Sequence, residues 1–185
     1  MPLPAVQLVL FGAAGDLATR KLIPALYDLY REGHLPEHVA IVGVDRKEMD
    51  DASFRSFARA SAGTFGRFFP DGTDAESWSR FEKQLFYLTA DATESASYTQ
   101  LAQKLDGING VAEKPHRVFY FAVAPFLVAA IARGLAGAGL LTDEKRDRLV
   151  VEKPFGTDLA SAYELDKVLL DAADECQIYR IDHYL

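Results

Sequence analysis

Cysteine is almost absent from this sequence, since its 185 residues include one, Cys176. A single thiol can form neither an internal disulfide nor a cluster of thiolate metal ligands, and a free thiol is typical of a reducing compartment. We therefore expect no metal site and a cytoplasmic location. The length itself is typical of a single domain with a substantial core.

Positive charge and long apolar runs are also scarce. Lysine and arginine number 20 against 27 aspartates and glutamates, so the net charge is −7, which disfavours binding to nucleic acid or to an anionic membrane. The longest apolar tract, residues 118–132, is shorter than a membrane span and contains Pro125. The first residues, MPLPAVQLVLFG, lack the basic region of a secretory signal. A small anionic ligand remains compatible with this composition.

The segment 5–32 organises the chain. An apolar run at 6–11 predicts a buried strand, the residues Gly12-Ala13-Ala14-Gly15 predict a turn, and helical spacing of apolar residues follows from Leu17. This order directs backbone N–H groups and the positive end of a helix at a phosphate. Gly12 would permit the tight turn, and Gly15 would let a pyrophosphate approach the backbone.

The segment departs from the dinucleotide fingerprint GxGxxG at two places. Ala14 and Leu17 stand where that fingerprint has glycine. Asp16 favours the helix dipole but would repel a phosphate aimed at the same point. A turn that needs two glycines for structural reasons alone is therefore an alternative to a phosphate site.

The rest of the chain alternates between strand and helix patterns. This alternation predicts an α/β fold, a doubly wound, Rossmann-type parallel sheet with helices on both faces. The three phenylalanines of the turn-rich segment 65–74 are expected in the core. We predict strands at 6–11, 39–44, 85–89, 118–123, 149–151 and 178–181, with later helices at 50–62, 95–105, 125–136 and 158–175.

Ligands of such sheets bind beyond the carboxyl ends of the strands. His34, His38, Lys114 and His116 fall at the opposite edge and are expected to face solvent. The ligand edge should carry Gly12 to Gly15, Asp45, Arg46, Asp91, Ala124, Pro125, Lys153, Pro154, Asp182 and His183.

The dipeptide Asp45-Arg46 bears on the choice of coenzyme. An acidic residue after the second strand usually binds the ribose hydroxyls of NAD, whereas arginine accommodates the 2′-phosphate of NADP. Arg46 can form a bidentate contact with that phosphate, and Asp45 would repel it if both point the same way. A solvated turn is the structural alternative. Given the glycine turn, the sequence favours NADP, with NAD tolerated.

Two further groups of polar residues lie at the ligand edge. Lys153, at a strand end beside Pro154, needs an anionic partner, which could be a ligand or Glu152 or a neighbouring helix. The Lys153–Pro154 bond is a candidate for the cis form. Lys21 is a second candidate anion contact or a plain exposed charge. The final residues, RIDHYL, could contact a phosphate and orient a base, or form a terminal strand.

Three motifs together resemble glucose-6-phosphate dehydrogenases. They are GAAGDLA at 12–18, VEKPFGTDLASAYEL at 151–165 and QIYRIDHYL at 177–185. The resemblance implies a coenzyme-binding domain of an enzyme that oxidises glucose 6-phosphate to 6-phosphogluconolactone, with hydride passed to NADP+ or, in some members, NAD+. Three positions depart from the family: Ala14 replaces a usual serine, Ala90 often is glycine, and Asp45 is an unusual neighbour for Arg46.

The resemblance also implies roles for individual residues. Gly12, Ala13, Ala14, Gly15, Asp16 and Leu17 would hold the pyrophosphate, Arg46 the 2′-phosphate, and Asp91 and Ala92 the adenosine side. Lys153 would contact coenzyme and substrate, and Lys21 would add charge near the substrate. His183 and Tyr184 would bind the sugar phosphate, and Asp182 would pair with the catalytic histidine.

That histidine lies beyond the RIDHYL stretch in the family, in a second domain that carries most of the subunit interface. We therefore expect residues 1–185 to be the dinucleotide-binding domain of a homo-oligomeric enzyme, binding coenzyme without efficient turnover when alone. A stand-alone NAD(P)-binding module and a different NAD(P)-dependent sugar oxidoreductase remain alternatives.

Overall fold

A computed structural model describes residues 4–68, 75–108 and 114–182. Its strands are β1 Val6–Phe11, β2 Val39–Asp45, β3 Leu85–Thr89, β4 His116–Phe121, β5 Asp147–Glu152 and β6 Ile178–Ile181. Its helices are α1 Ile23–Arg31, α2 Asp51–Phe65, α3 Ala75–Phe81, α4 Ser95–Gly107, α5 Pro125–Gly137 and α6 Leu159–Ala172. A π-helical segment, Ala18–Leu22, precedes α1, and 3-10 turns occupy Glu82–Gln84 and Glu175–Gln177.

The six strands form one sheet in the order β3-β2-β1-β4-β5-β6. All five neighbouring pairs are parallel, and Phe11 at the end of β1 lies between Val44 and Phe121. The strand order reverses between β1 and β4, which is the position where doubly wound folds bind nucleotides. The predicted Rossmann-type architecture is confirmed.

Helices cover both faces of this sheet because the side chains of each strand alternate between them. On one face Leu10 and Ile41 pack against α1, α2 and α3, with Tyr27, Phe54 and Trp78 fully buried. On the other face, α4, α5 and α6 pack on the alternate strand residues, which are Val9, Phe11, Val42, Val44, Phe119, Phe121, Leu149 and Val151.

Two helices differ from what the sequence predicts. The predicted helix 158–175 ends at Ala172, because Ala173 is extended and Asp174 begins a separate 3-10 turn with its side chain and that of Gln177 in a capping box. The helix α3 was not predicted, since its seven residues follow a turn-rich segment and show no long apolar period.

The expected burial of the phenylalanines in segment 65–74 is wrong for the two that are described. Phe65 is 44% exposed and Phe68 is 39% exposed. Each ring instead lies under a guanidinium group from the first helical region: Arg20 is 5.5 Å from the Phe65 ring centre and Arg31 is 4.8 Å from that of Phe68. Cation–π contact of this kind stabilises an aromatic ring at the surface. Phe69 lies outside the described residues.

Candidate coenzyme-binding site

The turn after β1 is hydrogen-bonded to the end of β2. The N–H of Gly12 donates to the carbonyl of Val44 at 2.9 Å, and the N–H of Gly15 donates back to the carbonyl of Gly12 at 2.9 Å. Gly12 has φ +81°, in the left-handed region that favours glycine. The predicted tight turn at Gly12 is therefore present.

Asp45, the last residue of β2, is hydrogen-bonded to the same turn. Its Oδ2 accepts a hydrogen bond from the N–H of Ala14 at 3.1 Å, and its Oδ1 accepts one from the N–H of Lys47 at 3.3 Å. The sequence indicates that Asp45 could bind the coenzyme ribose or repel a 2′-phosphate, but it does not predict this bond to Ala14. Its contact with Ala14, 31 positions away along the chain, joins the turns that follow β1 and β2.

The first helical region begins at Asp16, directly after the turn. The first N–H groups of a helix have no intrahelical partner and attract anions. Asp16 is exposed and pairs with Arg20 one helical turn further on, Oδ1 to Nη1 3.7 Å. Lys21 is also exposed and lies in the π-helical segment. A pyrophosphate at this helix start would thus have cations one turn away.

Asp91 lies just beyond the end of β3 and organises the start of α4. Its Oδ1 accepts from the N–H and the hydroxyl of Thr93, at 2.8 and 2.7 Å. These two hydrogen bonds, and then the charge of Arg46, hold the pKa of the Asp91 carboxyl below its usual value. Asp91 is therefore an anion at neutral pH and lies in the field of Arg46.

A pocket of about 320 Å³ lies at the sheet edge where the strand order reverses. It combines one cation and two carboxylates with an apolar wall, and small-molecule sites typically have such a mainly apolar lining with a few polar groups. Phe126 of α5 is 80% exposed beside it. The residues lining the pocket are Phe11, Gly12, Val44, Asp45, Arg46, Ala90, Asp91, Ala92, Thr93, Ala122, Val123, Ala124, Phe126 and Leu127.

A second pocket of about 240 Å³ lies on the other side of the β1 turn, between the ends of β4 and β5. Leu17, Glu152 and Lys153 line it. The Nζ of Lys153 lies 2.6 Å from Oδ2 of Asp182, which follows β6. The expected anionic partner of Lys153 is therefore Asp182 and not Glu152, and the Lys153–Pro154 bond is cis as expected.

Glu152 has a different partner, which the sequence does not predict. The hydroxyl of Tyr120 on β4 donates to Oε1 of Glu152 on β5. Burial and then Glu152 itself raise the pKa of Tyr120 well above its usual range, so Tyr120 stays a protonated donor. The two residues are adjacent only because β4 and β5 pair, with Tyr120 in register with Val150, and no sequence motif links them.

The fold brings most of the predicted residues to one edge. Gly12 to Leu17, Arg46, Asp91, Ala92, Lys153 and Asp182 all follow the carboxyl ends of their strands. His183 and Tyr184 lie outside the described residues. At the opposite edge, His34, His38 and Lys114 are exposed as expected, whereas His116 is half-buried because it is the first residue of β4.

No group of three or more histidine, cysteine, aspartate or glutamate side chains in residues 4–68, 75–108 and 114–182 is placed to hold a metal ion. Over the same ranges, none of the helices combines the length and apolarity needed to span a membrane.

The parallel sheet, the glycine turn at the reversal of strand order and the adjoining pockets define a dinucleotide-binding domain of the Rossmann type. Residues 9–185 match the family described as glucose-6-phosphate dehydrogenase, NAD binding domain. The chain belongs to the glucose-6-phosphate dehydrogenase family.

Known relatives agree with this assignment. The glucose-6-phosphate 1-dehydrogenase of Leuconostoc mesenteroides is 41% identical over 179 residues, which cover 95% of this chain and 35% of that protein. The enzyme of the same name from Mycolicibacterium smegmatis is 40% identical over 184 residues, 100% of this chain and 36% of that protein. This chain therefore spans about a third of the length of these relatives.

Solved structures of the family share the fold. A crystal structure of glucose-6-phosphate 1-dehydrogenase from Mycobacterium avium has a TM-score of 0.81 and 36% identity, over 96% of this chain and 36% of that one. A glucose-6-phosphate dehydrogenase in complex with its substrate glucose-6-phosphate has a TM-score of 0.85 and 30% identity, over 100% of this chain and 38% of that one.

Proposed function

We propose that this chain is the coenzyme-binding domain of an enzyme that oxidises glucose 6-phosphate to 6-phosphogluconolactone. The coenzyme is NADP+, with NAD+ also accepted, and it supplies the hydride acceptor. The observation that carries the proposal is the single sheet edge that holds the glycine turn, Arg46 and the Lys153–Asp182 pair. Family membership supports the reaction.

The coenzyme roles follow from position. The helix start at Asp16 and Leu17 receives the pyrophosphate, because the preceding N–H groups of Gly12 and Gly15 donate within the protein. Arg46 binds the 2′-phosphate, since its guanidinium can form two charge-assisted hydrogen bonds with a phosphate. Ala14, Asp91 and Ala92 complete the walls on the phosphate and adenosine sides, whereas Ala13 is fully buried in the core and supports the turn from beneath.

The substrate roles centre on Lys153 and Asp182. Lys153 lines the same pocket as Leu17 and pairs with Asp182, which supports a position for it between coenzyme and substrate. Asp182 orients the catalytic histidine and stabilises its protonated form, a role that the ion pair with Lys153 prepares by fixing the carboxylate. Lys21 adds positive charge near the sugar phosphate, and His183 and Tyr184 bind that phosphate.

The proposal extends to the assembly and the location of the enzyme. Residues 1–185 act as one dinucleotide-binding domain, and further sequence of the kind found in the family supplies the histidine base and the contacts of a homo-oligomer. The free, exposed thiol of Cys176 fits a reducing cytoplasm. The 185 residues alone bind coenzyme and turn over little substrate.

The proposal is tested by calorimetric titration of this 185-residue chain with NADP+ and NAD+. We expect both to bind, NADP+ more tightly. Arg46→Gln should weaken NADP+ binding about ten-fold or more, because it removes a charge-assisted phosphate contact, and should leave NAD+ binding nearly unchanged. Arg80→Gln is the matched control, since Arg80 is an exposed arginine of α3 that pairs only locally with Glu76 in the described structure.

The claim that the chain alone turns over little substrate is tested by measuring glucose-6-phosphate-dependent formation of NADPH at saturating coenzyme. We expect no rate above background from the chain alone. An enzyme-like rate would show that a base lies within these residues and would overturn the coenzyme-binding-only role. Absence of binding to either coenzyme would overturn the proposal as a whole.

A further inference from the structure

The hydroxyl of Ser61 on α2 is hydrogen-bonded to the helix that follows the glycine turn. It donates to the carbonyl of Thr19 in the π-helical segment, and Ser61 is 3% exposed. Two other hydroxyls of α2, those of Ser56 and Thr64, are exposed and donate to carbonyls four residues earlier in their own helix, as such residues commonly do. Ser61 therefore forms a bond between helices where its neighbours form local ones.

The carbonyl of Thr19 lies where the hydrogen bonding of its own helix is interrupted. The N–H of Ile23 donates to the carbonyl of Ala18, five residues earlier, which is the π-helical spacing. At the same spacing the donor for Thr19 would be residue 24, and Pro24 has no N–H. Ser61 supplies a donor from outside the helix.

Hydrogen bonds continue from Thr19 to the glycine turn. The N–H and the hydroxyl of Thr19 both donate to the carbonyl of Gly15, at 2.9 and 2.7 Å. The N–H of Gly15 donates to the carbonyl of Gly12 at 2.9 Å. A continuous series of bonds thus joins Ser61 to the turn, although Ser61 lines neither of the two pockets at the ligand edge.

The π-helical segment also packs against α2. Ala18 in the segment and Ala58 and Ala62 on α2 are fully buried, and such small side chains allow the two helices to approach closely. The guanidinium of Arg20 lies 5.5 Å from the ring centre of Phe65, the last residue of α2. Residues that precede and follow Ser61 therefore hold the segment in place beside its hydroxyl.

We propose that Ser61 is a positioning residue for the coenzyme pyrophosphate. Its bond to Thr19 fixes the first turn of the helix, whose N–H groups are directed at that anion. Lys21 lies in the same π-helical segment and is positioned with them. A helix start that is already fixed binds the anion more tightly, because less ordering accompanies binding. This inference rests on the coenzyme-binding function proposed above.

The test compares Ser61→Ala with the wild-type 185-residue chain by calorimetric titration with two ligands. NADP+ contains the pyrophosphate, whereas adenosine 2′-monophosphate contains only the adenosine and the phosphate proposed for Arg46. We expect Ser61→Ala to weaken NADP+ binding about five-fold or more and to change the binding of adenosine 2′-monophosphate by less than about two-fold. A general loss of structure would weaken both.

Ser56→Ala is the matched control, because it removes from α2 an exposed hydroxyl that is bonded within its own helix. It should leave both affinities unchanged. Ser61→Thr keeps the hydroxyl and should keep the affinity for NADP+ within about two-fold of the wild type. If Ser61→Ala does not melt cooperatively, Ser61→Cys takes its place, and the same selective loss is expected because a thiol is a weak donor.

Amide hydrogen exchange gives a readout that needs no ligand. In Ser61→Ala, peptides that cover residues 12–22 should exchange about three-fold faster or more than in the wild type, because the helix start opens more readily. Peptides from β5 should exchange at an unchanged rate.

The outcomes separate this inference from the function it rests on. Unchanged NADP+ affinity in the folded variant, equal weakening of both ligands, an equal loss in Ser61→Thr or unchanged exchange over residues 12–22 would each overturn the role of Ser61 and leave coenzyme binding intact. Failure of the wild-type chain to bind NADP+ would overturn the proposed function and this inference with it. A selective loss for NADP+ in Ser61→Ala, absent in Ser56→Ala, supports the proposal.

Discussion

The carbonyl oxygen of Ala122 lies 2.2 Å from the point that a Cβ atom on Gly12 would occupy. Gly12 is the first residue after β1, and Ala122 is the first residue after β4. These two neighbouring strands lie on either side of the reversal in strand order. The N–H of Ala122 in turn donates to the carbonyl of Phe11 at 3.0 Å. The close approach of these two backbones leaves no room for a side chain at position 12.

Gly12→Ala should therefore destabilise the chain. The new Cβ would collide with a backbone carbonyl, and alanine is strained at φ +81°, so we expect a loss of about 2 kcal/mol or more in the free energy of unfolding. Urea unfolding followed by far-UV circular dichroism measures it. Gly107→Ala is the control, because a Cβ there meets nothing within 4 Å; equal losses in the two variants would contradict the explanation.

Asp147 at the opposite edge should matter for stability and not for coenzyme binding. It is 1% exposed and forms a bidentate pair with Arg117, Nε to Oδ1 2.7 Å and Nη2 to Oδ2 2.9 Å. Asp147→Ala leaves that guanidinium partly buried without its carboxylate, which should cost about 3 kcal/mol. The variant that remains folded should bind NADP+ with unchanged affinity in a calorimetric titration. A weakened affinity would show that the two edges are coupled.

Lys153→Gln should weaken coenzyme binding and leave the stability of the chain nearly unchanged, the opposite of what is expected for Asp147→Ala. Its side chain and that of Asp182 are 50% and 66% exposed, so their ion pair should contribute at most about 1 kcal/mol to stability. Since the proposed site places this ammonium beside the coenzyme, its loss should weaken NADP+ binding by about ten-fold. Titration and thermal melting measure the two effects. Lys83→Gln, in the exposed 3-10 turn before β3, is the control, and an equal loss of affinity there would refute a specific role for Lys153.

The stability of the chain should fall in alkali through Tyr98. Burial, and then the charge of Asp91, raise the pKa of Tyr98 to about 12, while the unfolded chain releases this proton near pH 10. Stabilisation by the raised pKa is complete below about pH 10 and is lost as pH rises toward 12, because the unfolded state alone ionises in that window.

Tyr98→Phe removes this ionisation together with the hydrogen bond from the hydroxyl to the carbonyl of Ala92, 2.6 Å long. At pH 8 the variant should be less stable than the wild type by about 1 kcal/mol. Urea unfolding at pH 8, 10 and 11 should show this difference shrinking as pH rises. Parallel stability profiles for the two proteins would contradict the assignment.

Much of the fold could be predicted from short-range pattern. The apolar runs at β1 and β2 and the helical periods between them predicted the strands, because strands buried on both faces have nearly continuous apolar sequence, which in β1 only Gln7 interrupts. Phe65 and Phe68 could not be placed in the same way. Their exposure depends on Arg20 and Arg31, which belong to a different part of the chain.

The candidate site could likewise be predicted only in part. The glycine turn and the carboxyl-edge positions of Arg46 and Lys153 follow from the sequence, since parallel strands place their ends at one edge whatever their exact packing. The partners of the charged groups do not follow from it. The pair Lys153–Asp182 joins positions 29 apart and depends on β5 lying next to β6.

The alternation of strand and helix, the ligand edge and, through three motifs, the family can all be predicted from the sequence. Each of these depends on residues close together along the chain, where backbone geometry and side-chain period act directly. The hydrogen bonds from Ala14 to Asp45 and from Tyr120 to Glu152, in contrast, are known only from the folded structure. Those contacts join residues that strand pairing brings together, and a short-range pattern carries no information about which of several nearby charges will find which partner.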